Sequence, residues 1–349
     1  MKMNVKNNLG YFKPLLIISL LAVAFSALGA LLGELFAAVS AGLMACLFVF
    51  ENKGRRILSY IIPVLVIVIS LLLGGAFSVI GIEIISIAVI IFICIRNGYK
   101  KSTCAAVITA ATVFFGILGL LIFGVQATGQ LSFSALEEYY TSVYVNIREQ
   151  FVTAMSEAFG EFEKMYSSQL EAGALSLPTE EDTRALFDSF IDVVISMVVI
   201  FGFLISGIAL KAFSSVALAL TDRPLLVVAW RFGTSNLFAI FYGVLYFVSL
   251  FLTSTDSIFA LTVVNLHAIF LVVYAYVGFR SIYASLRVKY SALWCLGIIV
   301  VAVILLLSLF GSMMTIALDV LSIFGVMMTV SSNNMFSGVG SGKGDGEGK

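Results

Sequence analysis

The sequence predicts an all-α polytopic membrane protein: a transmembrane bundle of nine or ten spans with one extracytoplasmic amphipathic helical hairpin. Three observations carry that expectation. Of the 349 residues, 61% are hydrophobic and only 11% charged, where a soluble domain has about 45–50% and about 25%. Mean hydropathy is +1.10, more apolar surface than one globule can hide and far too much for a disordered chain. The apolar residues also fall into runs close to the ~20 residues that cross a hydrocarbon core, and one long acidic stretch interrupts them.

The runs follow in order. Pro14–Gly33 comes first, then Leu35–Phe50, which is short, then Ile57–Leu73, Ser78–Ile95 and Cys104–Val125. After the acidic stretch come Phe190–Lys211, Asn236–Thr253, Ile258–Phe279 and Trp294–Phe310. A last piece, Met313–Val330, follows Gly311-Ser312 and is either a tenth span or an interfacial helix. Lys2, Lys6 and Lys13 before the first run, and Ala27-Leu28-Gly29-Ala30 at its end, imitate a signal peptide. The second run begins almost at once, so an uncleaved first helix is expected.

Orientation follows from the basic loops. Lys2, Lys6 and Lys13, then Lys53, Arg55 and Arg56, then Arg96, Lys100 and Lys101 all fall on one side, the cytoplasmic one, if every run crosses. Lys211, Arg223 and Arg231, and later Arg280, Arg287 and Lys289, return to that side. The turns at Gly33-Glu34 and Gly74-Gly75 face outward, as does the acidic stretch. The expected location is therefore a cell membrane, with a cytoplasmic N-terminus and residues 126–189 outside. Four parts are expected: a five-span bundle at 1–125, the acidic hairpin at 126–189, a C-terminal membrane bundle at 190–330, and a disordered Gly/Ser-rich tail at 331–349.

Net charge is zero, but unevenly spread: Gln126 to Asp192 holds twelve acidic and three basic residues. Phe133, Leu136, Tyr140, Val143, Ile147, Phe151, Met155, Ala158, Phe162 and Met165 recur every three or four residues there, the mark of an amphipathic helix. Gly160 is an expected break. Thr179 with Asp182 fits a capping box opening a second helix that runs straight into span six. The apolar stripe suits packing on the tops of spans or on a second subunit. The alternative is a lid over an outward cavity, its acidity attracting cations.

Ionisable groups inside spans are functional candidates because they are costly in lipid. Glu83 lies near the outer end of span four, Glu34 at the first outer turn, and Asp188 and Asp192 where span six begins. Glu34, Glu83 and Asp192, if they converge, make an anionic mouth for a cationic or zwitterionic solute. His267, the one histidine, lies in span eight two residues after Asn265; both are candidate ligand or interhelical hydrogen-bonding groups. Asp319 in the last run needs a partner or water. Ala22, Ser26 and Ala30 form a small-residue stripe for close helix packing, inside the bundle or with another membrane subunit; Phe151, Met155 and Phe162 are the corresponding face of the hairpin. Cys46, Cys94, Cys104 and Cys295 are scattered, with no CxxC pair, and read as small buried hydrophobes. No metal site, cofactor or nucleic-acid partner is expected. No GxSxG, HExxH or P-loop pattern supports an enzyme.

The C-terminal half resembles the YybS-like family of multipass bacterial membrane proteins. The resemblance rests on Pro224 with Trp230, on Asn265 opening a long span that reaches Gly278 in Tyr276-Val277-Gly278-Phe279, and on Leu318-Asp319-Val320. The N-terminal half agrees in hydropathy. The family has no assigned activity; the resemblance implies N-terminal spans similar to the substrate-binding components of energy-coupling-factor vitamin transporters, which take small molecules from the outer side and dock a partner through an early small-residue stripe. Ala22, Ser26 and Ala30 match that stripe, and the acidic insert departs from compact loops. The expected role is small-molecule capture or transport. The alternative is a non-catalytic envelope scaffold or sensor that binds a partner, or itself, through its helical arm.

Overall fold

A computed structural model describes residues 12–50, 57–73, 77–99, 101–171, 177–221, 235–252, 257–287, 289–291, 293–294, 297 and 314–340. They are all-helical. The predicted span at 294–310 lies outside the described residues but for Trp294 and Gly297. So do Lys2, Lys6, Lys53, Arg55, Arg56, Gly74, Gly75, Lys100, Arg223, Pro224, Trp230, Arg231, Asp256 and residues 341–349. Among the described residues, five helical stretches are long and apolar enough to cross a membrane: Lys13–Leu32, Val79–Asn97, Lys101–Thr128, Val194–Leu220 and Ile258–Arg287. Glu34–Phe50, Ile57–Leu73, Asn236–Ser249 and Leu318–Ser331 are shorter apolar helices. Large side chains such as Tyr60, Leu72 and Leu31 are exposed, which suits a lipid solvent and suggests membrane association.

The chain forms two compact units, residues 1–194 with 201–230 and residues 195–200 with 231–349. In the first, α1 (Phe12–Leu32) turns at Gly33 into α2 (Glu34–Phe50). Gly33 has φ +109°, a conformation that glycine adopts without strain. The two helices touch backbone to backbone: a Cβ on Gly29 would stand 2.8 Å from the Ala37 nitrogen. The Ser40 hydroxyl donates to the Ala22 carbonyl at 2.7 Å. Ala22, Ser26 and Ala30 are buried in this unit, so α2 of the same chain occupies the neighbourhood of the stripe.

Helix α3 (Ile57–Leu73) packs on α4 (Phe77–Asn97) where Gly81 faces Ser70 and the Val66 carbonyl. Helix α5 (Lys101–Thr128) follows and packs on α4. At Gly129 the chain doubles back into α6 (Phe133–Glu171), and Leu136 and Tyr140 close over Gly124. The Tyr140 hydroxyl donates to the Leu120 carbonyl. At 39 residues, α6 runs unbroken past Gly160, against the expected break. A glycine costs a helix interior only about 1 kcal/mol, and the flanking turns carry it.

Helix α7 (Glu180–Asp192) runs antiparallel along α6. Tyr144 donates to Asp188 Oδ1 at 2.5 Å, Arg184 Nη2 bonds Glu149 Oε2 at 3.0 Å, and the Phe187 ring meets Tyr144 and Phe151. Its donation to the Asp188 carboxylate raises the Tyr144 phenol above its ordinary value. Phe151, Met155 and Phe162 are half-buried. Helix α7 does not run straight into the next span. It stops at Asp192, Val193 makes a turn, and α8 (Val194–Thr221) begins at once. Farther on, α8 crosses α2 closely: a Cβ on Gly42 would lie 2.4 Å from the Ala209 carbonyl oxygen.

The predicted capping box is present. Asp182 Oδ2 accepts from the Thr179 N–H at 2.8 Å and the Thr179 hydroxyl at 2.7 Å, while Thr179 Oγ1 accepts from the Asp182 N–H at 3.1 Å. These bonds favour the carboxylate and hold Asp182 below its ordinary 3.8. A depressed folded-state value stabilises above the unfolded value and loses that contribution as pH falls through the folded one. The protection of the amides at residues 180–184, taken relative to the intrinsic exchange rate at each pH, is expected to fall on acidification through that window. Asp182→Asn should remove that acid-dependent component; an unaltered acid response in the variant would assign it to other carboxylates.

The second unit contains residues 195–200, α9 (Asn236–Ser249), α10 (Ile258–Arg287) and α11 (Met314–Gly340). Helix α9 stops short of the predicted Thr253, because Leu250 and Phe251 turn. Helix α11 runs through residues 331–340, assigned to the tail by composition. The core of this unit is aromatic, with Tyr242 and Tyr274 stacked at 5.0 Å. Helices α10 and α11 meet where Gly278 and Gly325 let their backbones touch.

Candidate functional site

Helix α4 buries Ile84, Ile87, Ala88, Ile91 and Cys94, the recurrence of a helix face packed on neighbours. Glu83 belongs to that buried side and is only 3% exposed. Helices α1, α2, α3 and α5 all pack on α4. The Glu34 carboxyl at the start of α2 acts electrostatically on Glu83, and the Thr112 hydroxyl of α5 approaches its carboxyl without reaching hydrogen-bond geometry. Thr112 is itself buried, and neither Thr112 Oγ1 nor Glu83 Oε1 completes a hydrogen bond. Ser26 Oγ, on α1 of the same unit, is likewise buried without a partner.

A buried carboxyl oxygen left open is costly, because desolvation goes uncompensated. A second acid nearby raises that cost unless a proton or cation joins the pair. The arrangement therefore offers acceptor oxygens and no resident positive charge of its own among these groups. Chemically it can hold a small cation, a protonated amine or a proton.

The other predicted ligand residues are on other helices. Asp192 closes α7, which packs along α6. Asn265 is buried in the second unit, and both ends of its amide are engaged: Oδ1 accepts from the Ser196 N–H at 3.1 Å and hydroxyl at 2.6 Å, and Nδ2 donates to the Leu261 carbonyl at 2.9 Å. His267 is half-buried against Tyr242 and Tyr246. Cys46, Cys94 and Cys104 are free and buried. A shallow groove of about 720 Å³ runs along α6 past Glu137, Glu138, Asn146 and Glu149, and a cleft of about 250 Å³ lies between α6 and α7 near Val152, Pro178 and Thr183.

Thr112, Ser196, Tyr242 and Ser322 were not singled out from the sequence. A hydroxyl in an apolar run commonly bonds back to its own helix, as Thr109 does to Ala105. Nothing local distinguishes Thr112, which faces an acid, from Thr109, which does not need one. The chain matches no family model, no curated protein and no solved structure.

Proposed function

We propose that this is a multipass cell-membrane protein that captures or transports a cationic or zwitterionic small molecule, with Glu83 as the binding acid and Glu34 and Thr112 beside it. The carrying observation is Glu83 itself: buried to 3% exposure with an open carboxyl oxygen. Acids at membrane depth face a bundle interior, a cavity or a partner, and here two acids and a hydroxyl share one neighbourhood. The reading takes nine or ten spans, a cytoplasmic N-terminus and an extracytoplasmic hairpin made of α6 and α7, on the strength of the basic loops. The hairpin's acidity would enrich cations near the outer face. The YybS-like resemblance supports the same reading, since the binding components it implies take solutes from outside.

The test uses the full chain in lipid nanodiscs, with sodium and choline as probes. A ligand that binds only the folded state raises stability by about 2.7 kcal/mol at a hundredfold excess over Kd. One of the two probes is expected to raise Tm saturably. Glu83→Gln, which preserves size, should stay folded and need at least about tenfold more probe, the loss of ~1.4 kcal/mol or more. No stabilisation of the wild type, or an equal response in the variant, would turn the assignment toward the second reading, an envelope scaffold. That reading draws on Val145 and Ile147, apolar side chains of α6 that stay exposed.

A further inference from the structure

Among the described residues, Glu83 is the one acidic or basic side chain that is buried, at 3% exposure. Its Oε1 is closed off and accepts no hydrogen bond. The ion pairs of the described residues, Arg148 with Asp188 and Arg184 with Glu149, both belong to the hairpin. The basic residues on α4 and on the helices packed against it stand at distant ends. Arg96 lies about 20 Å along α4 from Glu83, and Lys101 about 16 Å along α5 from Thr112, at ~1.5 Å per residue. Cys94 and Cys104 belong to those same ends. Lys13 is near the start of α1, whose other end meets α2 at Gly29 and Ala37, close to Glu34 in sequence. Tyr60 of α3 is exposed, and the Cys46 thiol of α2 bonds the Gly42 and Phe213 carbonyls. The titratable group that acts on Glu83 is Glu34, a second acid.

An ionised carboxylate held this way is an uncompensated charge in a low-dielectric interior, the state that burial penalises most. When no cation is bound, the positive charge that can always reach it is a proton, which water supplies and which needs no cavity. Thr112 suits either state, because a hydroxyl donates to a carboxylate and accepts from a carboxylic acid. A cation needs the carboxylate. One acid group cannot keep its proton and also serve as the countercharge of a bound cation.

We propose that Glu83 is an exchange site, protonated when empty and deprotonated by the arriving cation, so that capture of the solute is coupled to release of one proton. The inference rests on the capture reading above and adds the counter-ion to it. In the step, the carboxyl O–H bond breaks, its electron pair stays on the carboxylate, and the proton passes to water. One positive charge leaves as another arrives, so the charge of the site is unchanged and no co-reactant is required.

The test follows the full chain in lipid nanodiscs by infrared spectroscopy at about pH 7, where an ordinary glutamate with a pKa of about 4.3 is ionised. The empty protein is expected to show the carbonyl stretch of a protonated carboxyl, lost in Glu83→Gln and kept in Glu34→Gln. Glu83→Asp, which keeps a carboxyl on a shorter stem, should displace the band and assigns it if Glu83→Gln does not fold. Sodium or choline, whichever raises Tm, should abolish the band at saturation and release about one proton per bound cation into a weakly buffered medium. Competition by one proton should also raise the apparent Kd about tenfold for each unit by which the pH is lowered. An empty protein without a Glu83 band, or a band that persists while a probe binds, overturns the exchange and leaves the capture reading standing. A Glu83 band with neither probe binding is the opposite pattern, in which capture fails and the exchange falls with it.

Discussion

Gly325→Val is expected to lower the thermal stability of the protein more than any ordinary apolar substitution. A Cβ at Gly325 would stand 2.0 Å from the Tyr274 carbonyl oxygen, and one at Gly278 would stand 2.1 Å from the Leu321 carbonyl oxygen. Both obstacles are backbone atoms, so no rotamer change relieves them and α10 and α11 must part. Helices in lipid gain little from the hydrophobic effect and depend on close packing, so parting removes the main attraction between this pair. The cost should reach about 3 kcal/mol or more, the upper end for overpacked cores. Thermal unfolding in detergent or nanodiscs measures it. Gly243→Ala in α9 is the control: a Cβ there would meet nothing within 4 Å, and alanine is the better helix former. Equal stability of Gly325→Val and the wild type would show that the two helices do not meet at these glycines.

Asn265→Leu is expected to be nearly as damaging, for an electrostatic reason. Ser196 is the third residue of α8, where helical N–H groups have no partner one turn back. Its N–H and hydroxyl both donate to Asn265 Oδ1, and the hydroxyl also donates to the Asn265 carbonyl. Leucine keeps the volume and removes the side-chain acceptor, leaving a buried N–H unsatisfied at a cost of about 1–3 kcal/mol, with no water in an apolar surround to make it good. Asn265→Asp, which retains an oxygen for Ser196 but gives up the bond to Leu261, should recover part of the loss. Amide exchange at residues 194–197 separates this from a general loosening: it should rise in Asn265→Leu. Unchanged exchange there would remove the capping role from Asn265.

The parts of this protein legible in the sequence are those fixed over a few neighbouring residues. The starts and ends of α1 to α5 fall within a few residues of the apolar runs, because hydropathy and turn residues such as Gly33 are local properties. The Thr179–Asp182 capping box is local too, since both partners lie within one helical turn. Gly160 misled for the same reason: its intrinsic preference argues for a break, and that preference is smaller than what the rest of α6 supplies. Val193 breaks the helix where composition alone runs on without a signal.

Glu34, Glu83 and Asp192 were expected to converge; the other candidates were legible only as unpaired expectations. Glu83, Glu34, His267 and Asp319 stand out because charge or imidazole in an apolar run is costly, and cost identifies a residue without identifying its partner. Ser196 and Asn265 are 69 residues apart, and Tyr242 and Ser322 are 80 apart; no periodicity links them. By itself the sequence determined the apolar character, the helical class and the residues under electrostatic strain, because each follows from the chemistry of one segment. Only the tertiary structure decided that α2 lies against the Ala22 stripe, that Thr112 rather than Thr109 faces Glu83, and that Tyr242 stacks on His267 while bonding Ser322. Those pairings depend on which helix faces touch, and small residues such as Gly29, Gly42 and Gly278 set that by letting backbones approach where larger side chains would hold them apart.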